Sequence, residues 1–64
     1  MTPPTLEQQI AAVSREIALR ERVYPKWIET GRMTKAKAEH EIACMKAAAA
    51  TLMTLRAQQP LAGV

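Results

Sequence analysis

The residues best suited to chemistry are a histidine and a cysteine four positions apart, His40 and Cys44. Residues with this spacing share one face of an α-helix, and the string from His40 to Cys44 is similar to the zinc-protease helix motif, with cysteine replacing the second histidine. A catalytic zinc needs three protein ligands and an open position. Because the chain has no other histidine or cysteine, we expect no metal site, unless two copies combine their pairs. The interpretation that we prefer assigns the pair no chemical function: a half-exposed histidine lies beside a small buried cysteine.

Other catalytic patterns are weak. Ser14 has no histidine at a useful spacing, and the glutamates alternate with arginines and lysines rather than forming a carboxylate pair in apolar surroundings. There is no glycine-rich phosphate loop. Spacings such as Glu16 with Arg20 and Lys35 with Glu39 predict solvent-exposed ion pairs on helices. We therefore expect a protein that has no enzymatic activity and no cofactor.

The first element that positions these residues is a helix predicted over residues 5–30. Thr5 and Gln8 have the spacing of a capping box, and apolar residues then recur every three, four or seven positions. Arg20 falls within this stripe, where its stem can pack while its charged head reaches solvent. Pro25 predicts either a kink or a break with a restart at the proline, and we favour the kink. The stripe consists of Leu6, Ile10, Val13, Ile17, Tyr24 and Trp27, and it is widened toward the C-terminal half by Leu19, Val23 and Ile28.

A second helix is predicted over residues 35–58. Gly31 is suited to terminate the first helix in a left-handed conformation, residues 31–34 form the turn, and Thr34 caps the second helix. The four alanines of residues 47–50, here called the alanine waist, have small side chains, so another helix can approach them closely. The stripe of this helix consists of Ala38, Ile42, Met45, Ala49 and Leu52, and it is broadened at its end by Met53 and Leu55.

The predicted fold class is all-α: one domain, residues 1–64, built as an antiparallel two-helix hairpin. An extended arm, residues 1–4, precedes it, and a tail, residues 59–64, follows it. A compact chain of this size buries only about 60% of its unfolded surface, and an elongated hairpin buries less. The single cysteine allows no disulfide within one chain. We therefore expect self-association, as a homodimer that forms a helical bundle.

Positive charge is concentrated around the turn. The net charge is +3, but residues 20–37 hold six basic residues against Glu21 and Glu29, about +4 by subtraction. Such a region can meet phosphates or an acidic protein surface. We prefer a protein partner, because the total charge is modest, no helix-turn-helix pattern is present, and aromatic residues beside arginines are typical of protein interfaces. The predicted partner-binding residues are Arg22, Tyr24, Lys26, Trp27, Arg32 and Lys35. The alternative for Trp27 is that it only caps the core at the bend.

The central segment carries a resemblance. Residues 23–27 read VYPKW and residues 31–34 read GRMT, and this layout resembles that of a group of small phage and prophage proteins over roughly residues 7–55. The resemblance implies a phage origin. Phage proteins of this size are commonly adaptors or inhibitors of host machinery, including anti-defence proteins, so a host nuclease or a CRISPR complex is a conceivable target.

The predicted location is the bacterial cytoplasm. Residues 1–4 lack the basic start of a signal peptide, no run approaches the ~18 apolar residues of a membrane span, and a lone cysteine suits a reducing compartment. The leading hypothesis is a protein-binding module, an adaptor or inhibitor, that acts by steric occupancy. The alternatives are a nucleic-acid-binding accessory protein and a structural helix pair of a larger assembly.

Overall fold

Two long helices form the structure, a computed structural model that describes residues 2–59. Helix α1 spans Leu6–Glu29 and helix α2 spans Lys35–Gln58, 24 residues each, which gives each a length of about 36 Å. They pack against each other as an antiparallel hairpin, so the predicted all-α hairpin is confirmed, with bounds within one residue of the predicted ones. Of the predicted tail, only Gln59 lies within the described residues.

The start of α1 is held by the predicted capping box. The Gln8 N–H donates to Thr5 Oγ1 at 3.1 Å, and the Thr5 N–H donates to Gln8 Oε1 at 2.9 Å. Farther along, α1 continues through Pro25 without interruption, so the interpretation in which the helix breaks and restarts there is wrong. Packing on both sides of the proline explains the continuity, since Tyr24 is buried and Trp27 is half-buried. The angle of the expected kink stays a prediction.

The turn between the helices is a Schellman motif. The Arg32 N–H donates to the Trp27 carbonyl at 2.8 Å and the Gly31 N–H donates to the Ile28 carbonyl at 3.2 Å. Gly31 has a φ of +79°, the left-handed conformation that such a cap requires. Thr34 then caps α2 by accepting the Lys37 N–H at 3.1 Å.

Replacing Gly31 with alanine is expected to destabilise the hairpin by about 1 kcal/mol. A Cβ at this position would meet nothing within 4 Å, so the cost comes from the positive φ alone. Gly31→Asn is the matched control, because asparagine tolerates this conformation better, and it should lose less. Urea unfolding followed by circular dichroism measures both variants. An alanine variant as stable as the parent would show that the turn does not need the left-handed conformation.

Small residues bring the two helices together. The buried side chains among the described residues are Ile10, Tyr24, Ala38 and Ala49, and every other residue of the two predicted stripes is half-buried. The two stripes are therefore confirmed, but the prediction that Leu19, Met53 and Leu55 widen them is wrong, since all three are exposed. The alanine waist is divided: Ala49 packs against α1, while the other three alanines of residues 47–50 are exposed. At Ala49, the helix that approaches the alanine waist is thus the chain's own α1.

Two ion pairs among the described residues connect the helices across the hairpin and contribute little to its stability. Lys46 lies 3.3 Å from Glu21, and Arg56 lies 3.2 Å from Glu7, each pair joining α1 to α2. Exposed pairs of this kind contribute roughly 0–1 kcal/mol each. Within the helices, the predicted pair of Glu16 and Arg20 is confirmed at 3.3 Å. The predicted pair of Lys35 and Glu39 is wrong, since the ion pair in the first turns of α2 joins Lys37 to Glu41 at 3.9 Å.

Candidate partner-binding surface

The histidine and cysteine of α2 lie on the outside of the hairpin. Cys44 Sγ is 3.5 Å from His40 Nε2, and both residues are exposed, so the predicted burial of Cys44 is wrong. The reason is its position: six residues after the buried Ala38, it is rotated about 120° from the side of α2 that faces α1. No third histidine, cysteine or carboxylate joins the pair to form a metal-binding group in residues 2–59.

Four unpaired cations define a surface at the turn end of the hairpin, here called the basic tip: Arg22, Lys26, Arg32 and Lys35. All four are exposed, and none forms an ion pair with another described residue. The other two basic residues of the segment, Arg20 and Lys37, are neutralised by neighbouring glutamates. The C-terminal end of α1 and the N-terminal end of α2 meet at this tip, so their helix dipoles offset each other. The side-chain charges therefore determine its positive sign.

The six predicted partner-binding residues do not form one continuous face. Tyr24 is buried in the interface between the helices. Arg22 and Lys26 are each two residues from it, which places them about 160° away on the outer side of α1. Arg32 lies in the turn and Lys35 in the first turn of α2. The structure thus brings the four cations to one end and leaves Tyr24 beneath them, and their role in binding stays a prediction.

Tyr24 organises a small polar network at the edge of the core. Its hydroxyl accepts a hydrogen bond from Arg20 Nη1 at 3.0 Å, and Arg20 Nη2 donates to Glu16 Oε1 at 3.3 Å. The bond to Tyr24 is the main reason that the pKa of Arg20 is raised above its ordinary value. The ring of Trp27 lies against that of Tyr24, with centroids 5.6 Å apart and planes tilted by 34°. The predicted set of partner-binding residues does not include Arg20. Its position as a cation inside the apolar stripe is the feature of the sequence that could have indicated a role for it.

A groove runs along one flank of α1, beside the basic tip. It is open, has a volume of about 280 Å³, and is lined by residues of α1 alone: Glu16, Leu19, Arg20, Val23, Tyr24 and Trp27. Leu19 is 41% exposed, while Val23 and Trp27 are half-buried. We call this surface the α1 groove. Because α2 contributes nothing to its lining, it is a helix face that the hairpin leaves uncovered.

Comparisons of the chain with protein-family models, curated protein sequences and solved structures gave no match. In the part of the chain that the structure describes, neither helix has the length and apolarity needed to cross a membrane.

Proposed function

We propose that this protein is a protein-binding module that recognises an acidic surface on a host or phage protein through its basic tip. It acts as an adaptor or inhibitor by occupying that surface, and it performs no catalysis. One observation carries the proposal: the hairpin leaves Arg22, Lys26, Arg32 and Lys35 exposed and unpaired at one end.

The chemistry of the tip favours a carboxylate-bearing partner. Unpaired cations raise the association rate toward a surface of opposite charge, and the two arginines can each bind a carboxylate through two parallel hydrogen bonds. Trp27 adds an aromatic side chain of the kind that anchors protein interfaces. It is half-buried, so part of its surface remains for a partner.

The biological setting rests on the sequence. The VYPKW and GRMT segments resemble those of small phage and prophage proteins, and both lie at the turn end of the hairpin, where the basic tip is. We therefore place the protein in the cytoplasm of a bacterial host, with an anti-defence role as the form of inhibition that the resemblance implies.

Removing two cations from the tip is expected to weaken partner binding at least ~10-fold, which corresponds to about 1.4 kcal/mol. The partner is first captured with the tagged protein from nuclease-treated bacterial lysate, identified by mass spectrometry and purified. Its affinity is then titrated against the parent and the double variant Arg32→Ala with Lys35→Ala. Arg15→Ala is the control, because Arg15 is also exposed and unpaired but lies two turns before Arg22 on α1. Equal affinity of the parent and a folded double variant would overturn the proposal.

Nucleic acid is the second candidate, because the same four cations can bind phosphates. Fluorescence anisotropy with random single-stranded and duplex DNA at low salt separates the two functions. A protein-binding module should show no tight binding to either probe. Binding that weakens steeply as salt rises, as counterion release requires, and that is lost in Arg32→Ala with Lys35→Ala, would assign the tip to nucleic acid.

A further inference from the structure

The hairpin exposes more surface than a compact protein of its mass. Its accessible surface is 5201 Å², whereas a compact monomer of 7.1 kDa exposes about 4,100 Å². If the six residues outside the described part are assigned the accessible area of an unfolded chain, they account for roughly 800 Å². The accessible area that is left still exceeds the area of a compact chain with the mass of residues 2–59 by about 600 Å². One partner in an interface of ordinary size covers about 600–1,000 Å². The excess is therefore about the area that one additional packed surface would bury.

One uncovered apolar surface lies on the flank of α1. Leu19, Val23 and Trp27 line the α1 groove, and Ala12, four residues before Glu16, lies on the same flank by helical spacing. Most polar groups at the groove are engaged with each other, since Arg20 Nη1 bonds to Tyr24 and Arg20 Nη2 to Glu16, and only Arg20 Nε is buried without a partner among the described residues. A docking helix would thus cover an apolar strip without breaking an ion pair between the two helices.

We propose that the α1 groove is covered by the α1 groove of a second copy of this chain, in an antiparallel twofold dimer. A twofold interface uses the same patch on both copies, so the α1 groove of one copy can be covered by that of another. The two copies bring four α-helices together, with each α2 on the outside of a central pair of α1 helices.

Charge decides the direction of packing. In a parallel arrangement the two basic tips would lie side by side, so eight unpaired cations would repel one another. In the antiparallel arrangement Lys26, Arg32 and Lys35 of the two copies lie toward opposite ends, and only the two Arg22 side chains lie near the middle. With the twofold axis near Leu19, Trp27 of one copy packs over Ala12 of the other, a large residue against a small one. The dimer then presents one basic tip at each end, which would make the module bivalent.

Sedimentation equilibrium of the full chain tests the interface. We expect a mass of about 14 kDa, twice that of one chain, at ~100 μM protein. Leu19→Glu should raise the dimer dissociation constant at least ~10-fold, because a carboxylate would be buried in the contact. Met53→Glu is the matched control: Met53 has the same 41% exposure but lines a groove with Ser14 on the other side of the hairpin, and its dimer should be unchanged.

Circular dichroism verifies that both variants remain helical. A parent that is monomeric at ~100 μM, or a dimer that Met53→Glu disrupts and Leu19→Glu does not, would overturn the proposal. Since Leu19→Glu leaves the basic tip intact, loss of the dimer and loss of the proposed partner binding can be distinguished.

Spin-label distances test the direction. Thr30 lies seven residues after Val23, on the flank of the α1 groove, and it is exposed. In a Cys44→Ser background, labels at Thr30→Cys should be about 30 Å apart in the antiparallel dimer, because each lies ~15 Å along α1 from the axis. A separation under ~20 Å, as expected for helices side by side in parallel, would overturn the antiparallel arrangement.

Discussion

Replacement of Tyr24 by alanine is expected to destabilise the hairpin by about 3–5 kcal/mol, the usual cost of removing a buried aromatic ring. Tyr24 is the largest of the buried side chains, it packs against Trp27, and its hydroxyl holds Arg20. A chain of 64 residues has a total stability of roughly 3–10 kcal/mol. The variant should therefore be largely or wholly unfolded at room temperature.

Tyr24→Phe separates the ring from the hydroxyl. It retains the packing and removes only the hydrogen-bond acceptor of Arg20, so we expect a loss of about 1 kcal/mol. Urea unfolding followed by the fluorescence of Trp27, the single tryptophan, measures both variants at one protein concentration, because self-association would add to apparent stability. If Tyr24→Ala loses less than about 1 kcal/mol, Tyr24 is not a core residue of the protein in solution.

Replacement of Ala49 by leucine is expected to cost about 1–3 kcal/mol through overpacking. Ala49 is only 6% exposed, and it lies where α2 approaches α1 most readily because the side chain is small. A leucine there must push the helices apart or leave its preferred rotamer, and the neighbouring contacts would loosen with it.

Ala47→Leu is the matched control within the same run of alanines. Ala47 is exposed and lies about 160° around α2 from Ala49, and leucine is nearly as good a helix former as alanine. Its stability should change by only a few tenths of a kcal/mol. Thermal unfolding compares the two variants. Equal melting temperatures would contradict the structural result that the Ala49 side of α2 faces α1.

Much of the fold follows from local patterns. The capping box of Thr5 and Gln8, the glycine at position 31 and the cap at Thr34 each act through hydrogen bonds within a few residues, so their effects are visible in a short stretch of sequence. The two apolar stripes likewise depend only on the helical repeat. These signals locate both helices and the sides on which they meet.

The candidate site was less predictable. The cluster of basic residues at the turn is apparent from the sequence, but which cations remain free depends on which of the possible ion pairs form, since Arg20 and Lys37 are paired and Lys35 is not paired with any described residue. Glu21 is paired with Lys46 across the hairpin, and Arg20 is engaged by Tyr24 and Glu16. The basic tip therefore consists of four residues, and Tyr24, predicted as part of the surface, contributes from beneath it.

The sequence by itself determined the two helices, their caps, the turn and the concentration of positive charge, because each arises from neighbours within one or two helical turns. Only the tertiary structure decided the continuity of α1 through Pro25, the exposure of Cys44 and the α1 groove. These features depend on how one helix rotates and slides against the other. That choice is reflected in contacts between distant residues, such as the pair of Glu7 and Arg56, whose partners are 49 residues apart, and no local pattern encodes it.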